Sequence, residues 1–299
     1  MTTLVVTSSW PRTRDEIAGT FVRTDALHRA RSGAVVVAAP RGPGAARSGP
    51  GLEVIDVPCL GAFGTPGAAA RITERPWRAL GLWPFSRAIA RIPCDAVVAH
   101  WLLPAGAIAA TLGRPVEAIA HGGDVRLLEG LPRPVARRFL EWLAARARIR
   151  AVSQGIADRL AAIAPDAPSF VEPLPLATDV PAIEQGARAY GATLRRTFGD
   201  ELHVVAARMI PEKRVERAID AVDRGRLVLV GDGPSRAKIL EQARRARVDV
   251  IAVGAVPHEQ ALGWIAAARR VVAPLARGEG SPTVIREARA LGVPVTVLT

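Results

Sequence analysis

At 299 residues, 49% of them hydrophobic and only 4% aromatic, the chain is long enough for two domains with cores of Ala, Val, Leu and Ile. Its net charge of +12 is almost all arginine, with lysine only at 213 and 238; about half of that bias reads as compositional drift, and most of the rest favours phosphates or acidic lipid headgroups. No helix-turn-helix, zinc-finger or aromatic RNA motif supports nucleic acid, no run of ~20 apolar residues spans a bilayer, and Cys59 and Cys94 have no metal-ligand spacing and no expected disulfide.

Met1 to Val6 is too short an apolar run for a signal peptide and lacks a basic start, so it reads as a first strand of a cytoplasmic protein. Further strands are expected at residues 34–38, 52–57, 96–99, 116–120, 149–152 and 169–172, with helical patterns between them such as 21–31 and 134–146. Gly19 ends the loop that follows the first strand and precedes a helix start. Between Arg71 and Arg91, arginines alternate with Trp77, Leu80, Trp83 and Phe85. Such a stretch either docks on an anionic membrane surface or packs its tryptophans on the core with arginine outside, and packing is the preferred reading.

Prolines between Pro173 and Asp179 interrupt the pattern, which gives domains at 1–178 and 179–299 joined through a linker helix at 183–198. The second domain alternates strands at 203–207, 227–230, 250–253, 270–273 and 293–298 with helices near 215–222, 234–247, 258–268 and 282–291. Alternation of this kind gives parallel sheets covered by helices, whose ligands bind beyond the carboxyl ends of the strands.

Three strand-end segments carry the chemistry. Ala276-Arg277-Gly278-Glu279-Gly280-Ser281-Pro282-Thr283 leads into a helix, with Ser281 as a good N-cap and Pro282 as a good first helical residue. The free N–H groups there, with Gly280 permitting close approach, form an anion site. Carboxylates at Glu279 and Glu287 flank it and can accept hydrogen bonds from paired hydroxyls; taken alone, each reads better as a solvated side chain. Arg208 and Lys213 follow the strand at 203–207, and Lys213 is one of two lysines in the chain. In the first domain, His121-Gly122-Gly123-Asp124 follows the strand at 116–120, where Asp124 can position either substrate or its own loop. His100-Trp101 ends the preceding strand. Gly231-Asp232-Gly233-Pro234 is a tight turn rather than a dinucleotide fingerprint, because Arg236 stands where a third glycine is needed.

Together these segments resemble the retaining GT-B glycosyltransferases of family 4. Glu279 through Glu287, continuing to Gly292-Val293-Pro294-Val295, is similar to the family's glutamate-x7-glutamate motif. Arg208 to Lys213 resembles its Gly-Arg-x-x-x-x-Lys segment, with Ala207 in place of the glycine, and His121 to Asp124 its His-Gly-x-Asp element. The resemblance implies an α/β GT-B fold, two Rossmann-like parallel-sheet domains facing a central cleft. It implies that Glu279 meets the donor sugar, Glu287 the ribose, Gly280 and Ser281 the donor through their amides, and Arg208 and Lys213 the diphosphate. His121 and Asp124 face the donor sugar, and Gly19 lies where donor or acceptor approaches. The implied activity is metal-independent transfer, with retention, from a UDP- or GDP-linked sugar to a hydroxyl acceptor, which a lipid could carry at the inner face of a membrane. No cofactor is expected. The family's usual final helices have no counterpart after Val293–Leu298, so a catalytically impaired nucleotide-sugar-binding partner subunit is the alternative expectation.

Overall fold

The computed structural model describes residues 1–13, 19–44, 46, 48–63, 68–275 and 282–298. They form two α/β units, Met1–Pro175 and Leu176–Thr299. The first contains β1 (Thr2–Val6), α1 (Thr20–Arg29), β2 (Ala34–Pro40), β3 (Leu52–Val57) and α2 (Ala68–Glu74). A 3-10 turn, Pro76–Gly81, then runs into α3 (Leu82–Ala90). It continues with β4 (Ala96–His100), α4 (Ala107–Ala109), β5 (Val116–Ala120), α5 (Gly123–Glu129), α6 (Arg133–Ala144), β6 (Arg148–Ala151), α7 (Gln154–Ile163) and β7 (Ser169–Val171). All seven strands are parallel, in the order β3-β2-β1-β4-β5-β6-β7.

Both faces of this sheet are apolar, as parallel sheets with helices on each side require. Along β1 the side chains alternate: Leu4 and Val6 enter a core with Phe85 and Ile89 of α3, while Val5 enters another with Val22 and Ala26 of α1. One sequence expectation fails here. Phe85 and Ile89 are the core-facing residues of α3, and Trp77 and Trp83 are exposed. The tryptophans therefore do not pack on the core. Four-residue spacing of Phe85 and Ile89 fixes the buried stripe of the helix, and Trp83 falls off it.

The second unit starts with α8 (Pro181–Phe198) and β8 (Leu202–Ala206). Then come β9 (Arg226–Val230), α9 (Arg236–Arg245), β10 (Asp249–Gly254), α10 (His258–Ala267), β11 (Arg270–Pro274), α11 (Thr283–Ala290) and β12 (Val295–Leu298). The sheet is parallel, in the order β10-β9-β8-β11-β12. Leu202 and Val204 of β8 pack under α8 and α10, Val205 on the other face with Met209 and Ile239.

The α-helix expected near 215–222 is instead a 3-10 turn, Val215–Ala218, followed by further tight turns. Val215, Ala218, Ile219 and Val222 are still buried, so the apolar spacing is met. At and just beyond its end two carbonyls have distant partners: Arg270 donates to the Ala221 oxygen at 2.6 Å, and a ring nitrogen of His203 lies 2.9 Å from the Arg224 oxygen. Within the segment the bonds are local three-residue ones, Ile219 to Glu216, Ala221 to Ala218 and Val222 to Ile219, in place of four-residue helical bonds. Helix α11 begins at Thr283 with Pro282 as its N-cap, one residue later than expected; Ser281 lies outside the described residues.

Candidate functional site

In an open parallel sheet, the loops leaving neighbouring strands diverge where the strand order reverses, and the crevice formed there is the usual ligand site. That point lies between β1 and β4 in the first unit, and between β8 and β11 in the second. The candidate residues fall around these two points. Glu279, Gly280 and Ser281, which follow β11, lie outside the described residues.

In the first unit, β4 ends on His100 and β5 runs into His121. Their rings stack with centroids 5.1 Å apart, and His100 Nδ1 shares a hydrogen bond with His121 Nε2 at 3.0 Å. Behind them, His100 Nε2 lies 3.3 Å from Asp25 Oδ2, and Asp25 accepts from Arg29 Nε at 2.7 Å. Arg29 reaches Glu117 at 2.7 Å, and Arg150 reaches Glu117 at 3.2 Å. A line of alternating charge thus runs from Arg150 through Glu117 and Arg29 to Asp25, next to the His100–His121 pair. Burial opposes the ionised form of Asp25, but the hydrogen bond and charge of His100, then those of Arg29, outweigh it and hold the carboxyl far below its ordinary range. Burial, followed by the electrostatic effect of His100, pushes His121 well below its ordinary value, so its ring is neutral.

A neutral imidazole has one donor and one acceptor nitrogen. With Nε2 engaged by His100, His121 keeps Nδ1 for another group. Phe21 and Trp101 enclose the ring, with centroids at 5.0 Å and 5.2 Å. Gly19, in the left-handed region at φ 80°, starts the helix that supplies Phe21 and Asp25. Asp25 and His100 are the partners that motif spacing did not assign. A signal existed, because Val22, Asp25 and Ala26 form the buried stripe of α1, and an acid on such a stripe needs a partner.

Asp124 serves the loop, one of the two roles its position allowed. Its Oδ2 accepts from the Leu102 N–H at 2.8 Å, and its Oδ1 from the His121 and Val125 N–H groups at 3.0 Å. Burial raises its pKa, against the lowering effect of these bonds. The bonds brace a strained neighbour. Trp101 has φ 73° and ψ 133°, a region that bulky residues rarely enter. Its N–H donates to the Ile119 oxygen and its own carbonyl accepts from Gly106, both at 2.9 Å. With Leu102 fixed by Asp124, both peptide groups around Trp101 are pinned, which is how strain persists beside a site.

In the second unit, exposed Arg208 follows β8 and partly exposed Lys213 closes the 3-10 turn Pro211–Lys213. The glycine turn after β9 shapes this segment. The Met209 N–H donates to the Asp232 oxygen and the Ser235 N–H to the Met209 oxygen, both at 2.9 Å. A Cβ on Gly231 would overlap the Ala207 carbonyl, and one on Gly233 that of Met209. Both glycines are needed for the turn to lie directly on the backbone that carries Arg208. Further along, Glu287 is buried, and His258 Nε2 lies 2.7 Å from its Oε1. Burial works against protonation of His258, but the hydrogen bond and charge of Glu287, then the charge of Glu259, prevail and raise its pKa. His258 opens α10 next to Glu259 and had no motif to mark it. Among the described residues, no group of three or more His, Cys, Asp or Glu is placed to hold a metal ion.

Residues 201–299 match the family described as "Glycosyl transferases group 1". Over 213 residues the chain is 27% identical to a Bacillus subtilis protein named as a teichuronic acid biosynthesis glycosyltransferase, TuaC, covering 67% of this chain and 52% of that one. The chain thus spans about half the length of that curated relative. Sucrose-phosphate synthase from Thermosynechococcus elongatus superposes with a TM-score of 0.72 at 18% identity, over 99% of this chain and 81% of that one. HepE from Anabaena, solved with UDP and glucose, gives 0.66 at 16% identity, over 99% and 80%. These likenesses, with the seven- and five-stranded parallel sheets, show the GT-B fold.

Proposed function

We propose that the chain is a retaining glycosyltransferase of family 4 that moves a sugar from a nucleotide-diphosphate donor to a hydroxyl acceptor. The observation that supports this most is a coincidence of sequence and place. The segment matching the group 1 glycosyltransferases, residues 201–299, is the one whose strand-end segments carry Arg208, Lys213 and Glu287.

In this reading Arg208 offers planar paired donors and Lys213 a compact charge to the donor diphosphate. Glu287 accepts from the ribose hydroxyls, its carboxylate oriented by His258, and Glu279 accepts from the sugar hydroxyls. The amides of Gly280 and Ser281 meet the donor, and Gly19 leaves room for its approach. His121 presents Nδ1 to the sugar, and Asp124 holds the loop that aims it. The C1–O bond breaks with its electron pair going to the diphosphate, and the acceptor oxygen attacks C1 from the same face. The acceptor proton passes to the departing phosphate oxygen. Arg208 and Lys213, rather than a metal ion, stabilise the charge that develops there. The donor is UDP- or GDP-linked, and the acceptor is a hydroxyl group in glycan synthesis, carried on a lipid at the inner face of a membrane.

A panel of nucleotide sugars read by thermal shift tests the donor site. A UDP- or GDP-sugar is expected to raise the melting temperature of the wild type, and Lys213→Ala and Glu287→Ala to lose that rise. If no nucleotide sugar stabilises the wild type, the reading fails. Transfer or slow hydrolysis of the stabilising donor separates an enzyme from a chain that only binds.

A further inference from the structure

The surface built by the 3-10 turn Pro76–Gly81 and α3 is unlike the rest of the molecule. Trp77 is 55% exposed, Leu80 69% and Trp83 66%, with Leu60 beside them at 56%. Trp10 and Trp264 are buried, and Trp101 and Trp142 are partly covered, so these two are the only exposed tryptophans of the six. Their spacing places them together. Trp77 and Leu80 are three apart on the 3-10 turn, where such residues share one side, and Trp83 follows at the second residue of α3, off the stripe of Phe85 and Ile89.

The scaffold beneath is fixed. Phe85 and Ile89 are fully buried on the opposite side of α3. A Cβ on Gly81 would overlap the Cys59 carbonyl and come within 3.1 Å of the Leu60 Cβ, so the turn lies directly on the chain leaving β3. The exposed apolar residues are thus held outward by a well-packed inner face.

Charge surrounds them. Residues 71–91 contain five arginines, at 71, 75, 78, 87 and 91, against one acid, Glu74; Arg78 pairs with Glu74 at 2.9 Å and Arg71 donates to the Gly61 oxygen, while Arg75, Arg87 and Arg91 are exposed and form the rim. The guanidinium of Arg87 lies 4.9 Å from the Trp83 ring centroid, and that of Arg78 lies 5.9 Å from the Trp77 ring centroid. Tryptophan with a cationic neighbour suits the headgroup layer of a bilayer, where the ring sits at the acyl boundary and the guanidinium meets phosphate.

We propose that this face, Leu60, Trp77, Leu80 and Trp83 with the arginine rim, docks the chain on an anionic lipid surface. Charge decides against a second copy as the occupant. An isologous dimer places the same patch on both sides of the contact, setting arginine against arginine. Phosphate-rich lipid complements the rim instead. The binding does not depend on the sugar-transfer reading, because it is measured without donor or acceptor.

The test is co-sedimentation of the full chain with vesicles of phosphatidylcholine alone and of equimolar phosphatidylcholine and phosphatidylglycerol. The wild type is expected to sediment with the anionic vesicles, weakly with the neutral ones, and less as salt rises. Trp77→Ser with Leu80→Ser and Trp83→Ser should reduce anionic-vesicle binding at least about tenfold. Its melting temperature should stay unchanged, since all three side chains are exposed. Arg87→Glu with Arg91→Glu should remove the preference for anionic lipid. The proposal is overturned if the wild type stays in the supernatant with anionic vesicles, or if the triple variant binds as the wild type does. It is also overturned if the wild type forms a vesicle-free dimer that the triple substitution disperses, which would assign the face to a second copy.

Discussion

Asp25 sits on the buried stripe of α1 and faces His100 and Arg29. Removing its carboxylate leaves Arg29 with Glu117 as its remaining carboxylate partner and His100 Nε2 without the carboxylate beside it, and breaking such a buried pair costs about 3 kcal/mol. Asp25→Ala should lose roughly that much in urea denaturation; a change near zero would mean that solvent already screens the pair. Because the folded pKa of Asp25 is depressed, its share of stability is present above the ordinary value of 3.8 and is lost as pH falls below it. His258 has the opposite sign. Its folded pKa is raised above 6.5, so the stability from its pair with Glu287 is full below that value and disappears as pH rises through the folded pKa. His258→Gln should therefore lower the melting temperature most near about pH 6 and least near about pH 9. Motif spacing singled out His121 and Glu287, but neither Asp25, which stands behind the His100 partner of His121, nor His258, the partner of Glu287. A motif fixes residues within one loop, while Asp25 and His258 arrive from helices distant in sequence, and only packing brings them in.

Among the elements, the glycine turn after β9 has the clearest effect on the site. Its hydrogen bonds to Met209 set the course of the backbone around Arg208. Gly231, at φ 130°, combines a conformation that side chains avoid with a carbonyl in the place of a Cβ. Gly231→Ala should cost about 2 kcal/mol. The same substitution should weaken donor binding more than a surface mutation of equal thermal cost, as read by titrating the stabilising nucleotide sugar. The turn itself was legible, because Gly-Asp-Gly-Pro after a β-branched run has few other solutions. So was the strand rhythm, since β3 and β5 fall on the expected residues. The face of α3 was not legible. Trp83 and Phe85 are two apart, both are aromatic, and composition cannot say which one Ile89 will join in the core. The four-residue spacing with Ile89 decides it, and that is a property of the folded helix face rather than of composition. The 3-10 segment from Val215 was equally hidden, because its apolar spacing fits an α-helix as well as it fits a run of three-residue turns.

For the whole molecule, among the described residues three buried apolar clusters lie in the first unit and two in the second. In the second unit α8 is bound to its neighbours by Arg188, which donates to the Leu291 oxygen at 3.0 Å, and Arg195, which donates to the Ala266 oxygen at 2.6 Å. A fragment of residues 176–299 is expected to fold alone, giving a cooperative melt by circular dichroism. A broad, non-cooperative loss of signal would show that it needs the first unit. The division into two α/β units was legible because prolines break the pattern between Pro173 and Asp179. The number of strands in each sheet followed from the same alternation, whereas their spatial order did not.

That order bears on how the protein comes into being. In the first sheet the earliest strand synthesised, β1, lies inside; β2 and β3 extend it on one side, and β4 to β7 on the other. The second sheet repeats the scheme around β8. Each described strand, as it emerges from the ribosome, finds its place on an open edge, and none of the described strands has to be threaded between two already paired. Growth from the centre outward lets each sheet assemble in the order of translation, with a free edge available at each step.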